Sequence, residues 1–204
     1  MASRYRLIAV KTFDSPAVVA ALGRLRPQVG CRVSGAVRGW VAAFPDQPAD
    51  LEEQAAQLSG VLSLPVVYAA CHEDRYFSAL RFDRGQLSDA VDSVAPGAGQ
   101  ARRPGEPDKW RDILPPGVPP AALAGPMTAQ ERATQGKPDS ASTLAQPFLE
   151  DFLAVLGLPQ ALDGHALAAD PNCLMVEVRR YQRLPAHRPS LFQRLLRRAP
   201  AKKR

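Results

Sequence analysis

A chain of 204 residues that is 46% hydrophobic and 23% charged has enough apolar material to bury a core without disulfide or metal staples. Its strongly apolar stretches are strand-length runs such as 64–71, and 7–10 is too short for a signal core. Collagen-like, membrane-spanning and secreted disulfide-rich classes are therefore excluded. The net charge of +6 is unevenly placed: residues 178–204 hold ten Lys or Arg and no acid, leaving 16 basic against 20 acidic residues before them. A mildly acidic body with a basic tail does not mark the whole fold as a nucleic-acid binder.

Residues 5–10 read as a first strand. Asp14-Ser15-Pro16 then opens a helix, with a capping carboxylate followed by proline in the first turn, where its missing N–H costs nothing. Val18, Val19, Leu22 and Leu25 give that helix one apolar stripe. Residues 31–37 and 39–44 read as a strand bent near Gly39. After Pro48 comes a clear helix: Asp50, Glu52 and Glu53 favour its N-terminal end, and Leu51, Ala55, Leu58 and Leu62 recur on one face. Residues 65–71 form a buried strand by composition, and 76–82 with 86–91 flank Asp83-Arg84-Gly85 as a hairpin.

From 95 to 147 the composition changes, with ten of the twenty prolines, six glycines and little periodicity. Trp110, Ile113 and Leu114 suit one short helical turn anchored on the domain; the remainder reads as loop or linker. Order returns at 147–156, where Phe148, Phe152, Val155 and Leu156 share a face and Gly157 and Pro159 stop the helix. Residues 174–181 read as a strand, and 191–198 as a short amphipathic helix ending in a basic tail.

The expected fold is α+β: a small mixed β-sheet with helices on one face, in β-α-β-α-β-β-β order through the first half, plus a C-terminal helix-strand-helix segment. The expected division is an α+β domain at 1–96, a Pro/Gly-rich loop or linker at 97–142, a helix-strand segment at 143–188 packing on the first domain, and a basic helix and tail at 189–204.

Leu58-Ser59, Leu62, Pro65-Val66-Val67, His72-x-Asp74, Gly85, Asp89 and Ser93 follow one another along residues 58–96, with Trp40 upstream and Leu156-Gly157-Leu158-Pro159 and Ala161-Leu162 downstream. On these residues the chain resembles a group of bacterial proteins sharing a Leu-Ser…His-x-Asp…Gly…Asp…Ser pattern. The group usually has an acidic-aromatic ending after the serine, where this chain has Val94-Ala95-Pro96-Gly97. The resemblance implies a shared fold and no reaction.

Cys71-His72-Glu73-Asp74 is the densest chemistry in the chain. On a strand Cys71 and His72 point to opposite faces, whereas His72 and Asp74 share one and are in reach of a hydrogen bond. They are the candidates for acid–base work, against a polar connection in which Asp74 caps backbone N–H groups. No C-x-x-C, H-E-x-x-H, P-loop, dinucleotide fingerprint or nucleophile elbow occurs. No cofactor or metal is therefore assigned. Cys31, Cys71 and Cys173 read as buried thiols of a reducing compartment.

Trp110 reads either as an exposed anchor for a partner or as a staple on its own domain. In the tail, Leu191, Phe192, Leu195 and Leu196 form one stripe, with Arg194, Arg197 and Arg198 around the other side. Such a helix suits a partner groove, an anionic lipid surface or phosphates, against simple docking on the acidic body. The leading expectation is a cytoplasmic, non-enzymatic protein-interaction module, immunity-like or adaptor by architecture. Its rivals are nucleic-acid or ribonucleoprotein association through 189–204, and a hydrolase centred on His72 and Asp74.

Overall fold

The computed structural model describes residues 6–25, 31–45, 51–73, 75–96, 100–134, 145–158 and 174–176. Their strands are β1 (Arg6–Lys11), β2 (Cys31–Val33), β3 (Trp40–Pro45), β4 (Val66–His72), β5 (Tyr76–Asp83), β6 (Gln86–Asp92) and β7 (Leu174–Val176). The helices are α1 (Ser15–Leu25), α2 (Leu51–Leu62), α3 (Ala124–Thr134) and α4 (Ala145–Val155), with 3-10 turns at Pro107–Ile113 and Pro120–Leu123. The strands form one sheet in the order β6-β5-β4-β1-β3-β2-β7.

The α+β class holds, and three details differ from expectation. Every strand pairing is antiparallel, so the sheet is not mixed. The strand expected to bend near Gly39 is instead the β2–β3 hairpin. Val37 and Trp40 pair across Arg38 and Gly39, whose φ angles of 50° and 77° are those of a type I′ turn.

Helices also cover both faces rather than one. On the first face, Val18, Ala21 and Leu22 of α1 and Leu51, Ala55 and Leu58 of α2 meet Ile8, Val10, Val41, Val66 and Leu80 of the sheet. Helix α1 starts where Asp14 Oδ1 accepts the Ala17 N–H at 2.9 Å, as its capping sequence predicts. On the second face, Trp40, Val67, Ala69, Phe77 and Val91 pack under Trp110, Ile113, Leu123, Met127, Leu149 and Phe152. Two covered faces explain why Val66–Cys71 is buried throughout instead of alternating.

That second layer comes largely from the proline-rich stretch. Prolines 107 and 120 sit in the first turns of the 3-10 segments, where a fixed φ and a missing N–H are tolerated. Helix α4 ends as its Leu-Gly-Leu sequence predicts: Leu158 N–H bonds the Leu153 carbonyl at 2.9 Å and Gly157 N–H that of Ala154 at 2.9 Å. Trp40 Nε1 then donates to the Leu156 carbonyl at 2.9 Å, fastening this helix end to β3. No helix among the described residues is long and apolar enough to cross a membrane.

Candidate functional site

Strands β4 and β5 pair out to His72 opposite Tyr76, and residues 73–75 close the hairpin. Glu73 takes φ 51° there, and Arg75 N–H bonds the His72 carbonyl at 2.9 Å. The registers place Arg6 of β1, Ala70 of β4, Ser78 of β5 and Asp92 of β6 in one row across the sheet. Alternation along β4 puts His72 on the same face as Ala70, and Cys71 on the opposite one among the second-face core. Cys71 and His72 accordingly do not converge.

His72 Nε2 lies 2.7 Å from Ser78 Oγ, and its ring stacks on Tyr76 with centroids 4.4 Å apart and planes 13° from parallel. Asp92, opposite Ser78, is completely buried and takes a two-point grip from Arg103, Nε to Oδ2 at 2.6 Å and Nη2 to Oδ1 at 2.7 Å. Burial, reinforced by the Arg6 and Arg103 charges and opposed by Asp92, holds the His72 pKa below its ordinary 6.5. Burial, with Asp92 adding to it, likewise raises the Tyr76 phenol.

A cleft of about 420 Å³ opens beside this group, lined by Arg6, His72, Glu73, Arg75, Tyr76 and Pro96 together with Cys71. His72 is its imidazole wall. Ser78 is only 2% exposed, so the hydroxyl nearest the imidazole is closed to a substrate. Asp74, the proposed partner of His72, lies outside the described residues. Among the described residues, no three His, Cys, Asp or Glu side chains converge as metal ligands would.

Trp110, a candidate partner anchor by sequence, is completely buried. Its indole stands edge-on to Phe152 at 5.3 Å and donates to Asp89 Oδ2 at 2.6 Å. It therefore offers no surface to a partner and acts as the staple. The tail candidates Leu191, Phe192, Arg194, Leu195, Arg197 and Arg198 lie outside the described residues.

Among the described residues, the exposed aromatic is one that no sequence motif marks. Phe13, just after β1, is 81% exposed, and Val37 in the β2–β3 turn is 42% exposed. A methyl group on Gly39 would come within 3.2 Å of Phe13 Cζ and 3.8 Å of Lys11 Nζ, so the ring rests against that turn. Lys11 Nζ in turn sits 4.6 Å above the Trp40 ring. An apolar residue placed between a strand end and a helix-capping aspartate was the only signal for Phe13.

The residues that carry the bacterial-group resemblance are tied into the fold. Ser59 donates to the Leu64 carbonyl at 2.8 Å and accepts the Gly85 N–H at 3.3 Å, joining α2 to the β5–β6 turn. Asp89 accepts from Trp110 and from Glu106 N–H at 2.9 Å. Ser93 accepts the Phe77 N–H at 2.9 Å and donates to Gln130 Oε1. The pattern thus describes how these layers are joined. No family model matches the chain, and neither a curated protein nor a solved structure matches it at a significant level.

Proposed function

We propose that this protein is a non-enzymatic interaction module of the cytoplasm that docks a partner protein on the end of the sheet carrying Phe13. The observation that carries this reading is Phe13 itself, an aromatic ring 81% in solvent yet held against a hairpin turn. A rigid aromatic loses little freedom on binding, which is why such rings serve as anchors in protein interfaces. Val37 extends the apolar area, and Lys11 and Arg38 put cations at its rim. The partner that fits has an apolar socket flanked by carboxylates.

Hydrolysis at His72 is less well supported, because the nearest hydroxyl is closed off and Tyr76 covers one ring face. The test is capture from native lysate with the full chain and with a form ending at Arg183, at low and high salt with nuclease. A discrete protein retained by both forms at high salt, and lost from a Phe13→Asp variant, is the expected result. Retention only of nucleic acid, lost with salt or with the tail, would replace this reading with association through residues 189–204.

A further inference from the structure

Arg6 contributes a second kind of feature, independent of the Phe13 surface. Its Nε is buried and has no hydrogen-bond partner among the described residues. Arg81 also has an unpartnered Nε, but its other nitrogens are engaged by Asp112, Asp83 and the Lys109 carbonyl. Arg6 makes no such ion pair within the described residues, and it opens onto the cleft beside His72 and Tyr76. A half-buried guanidinium has given up much of its hydration, and a planar fork of N–H donors is satisfied best by a carboxylate or phosphate.

The surroundings favour an anion over a cation. Arg75 lines the same cleft, against Glu73 as its one described acid, and Glu73 is exposed where water screens it. Asp92, buried behind the cleft, is already neutralised by Arg103, and Glu52 at the start of α2 is a further carboxylate within electrostatic reach of Tyr76 and Arg103. His72 and Tyr76 supply a ring wall and a phenol at the cleft edge, and a volume of about 420 Å³ leaves room for a small metabolite rather than a lone ion. We propose that this cleft binds a small molecule through its carboxylate or phosphate group, with the oxyanion on the Arg6 guanidinium beside the stacked His72 and Tyr76 rings.

The test is an NMR titration of the full chain, reading the Arg6 Nε–H and the His72 ring, with inorganic phosphate and with acetate as probes. Chloride is used to hold the ionic strength constant. The expected result is a saturable shift centred on Arg6, His72 and Tyr76, with the midpoint of His72 titration moving upward as the anion occupies the site. Stronger saturation by phosphate assigns a phosphate ester, and stronger saturation by acetate a carboxylate.

Arg6→Gln is expected to weaken binding at least tenfold. Arg6→Lys, which keeps the charge without the fork, is expected to fall between. Shifts that rise linearly and equally with chloride would overturn the proposal on the unaltered protein alone. So would saturation that Arg6→Gln leaves unchanged.

Discussion

Trp110 Nε1 and Asp89 Oδ2 meet at 2.6 Å, and the same carboxylate oxygen accepts the Glu106 N–H at 2.9 Å. One aspartate on the edge strand thus fastens both the entry and the aromatic staple of the second layer. Trp110, Phe152 and Phe77 continue the contact inward, with ring centroids 5.3 and 5.8 Å apart. The proline-rich stretch is held down by this junction.

Asp89→Ala leaves an indole N–H and a backbone N–H without their acceptor. Since hydrogen bonds to a charged group contribute about 1.5–3 kcal/mol each, the variant should lose on the order of 3 kcal/mol. Urea unfolding followed by tryptophan fluorescence reads this directly. A loss below about 0.5 kcal/mol would mean that the junction does not hold the layer.

Gly105, next to the β-bridge of Val91 with Pro104, adopts φ 69°. A methyl group there would fall 2.4 Å from Val91 Cγ2. Gly105→Ala is therefore expected to cost about 2 kcal/mol through backbone strain and overlap together. Pairing it with Val91→Ala should make the two costs less than additive, because one clash is removed. Strict additivity in the double variant would show that the overlap does not occur.

His72 sets a sign for pH dependence. Its folded pKa lies below the unfolded value of 6.5, with burial the largest cause. The unfolded chain then takes up the proton first, so this contribution to stability is fully present above pH 6.5 and is lost as pH falls toward the folded value. Denaturation midpoints for the protein and for His72→Gln should converge in acid and separate toward neutrality. A wild-type curve parallel to the variant across that window would contradict the burial of the imidazole.

Phe13→Ala should leave stability unchanged within about 0.5 kcal/mol, the usual range for a surface position away from packing. Partner capture should fall sharply in the same variant. A large drop in thermal stability would instead make Phe13 a clamp on its own turn.

The elements legible in the sequence were those fixed by local chemistry. Residues 65–71 announced a buried strand, Asp83-Arg84-Gly85 a short turn, Leu51, Ala55, Leu58 and Leu62 a one-sided helix, and Gly157 with Pro159 a helix stop. What was not legible depends on long-range register. Arg6, Ser78 and Asp92 join the His72 group only because β1, β4, β5 and β6 align as they do. The 3-10 segment at Pro120–Leu123 escaped because so short a turn leaves no helical stripe, whereas Trp110, Ile113 and Leu114 marked the short turn by which the stretch docks.

The most direct measurement is photo-crosslinking in living cells from a benzophenone side chain at position 13, with position 87 on the far edge strand, also exposed, as the control. Docking at Phe13 predicts one discrete protein adduct from position 13 that is absent from position 87. No adduct from position 13, or the same faint set from both, would contradict a docking surface at this end of the sheet.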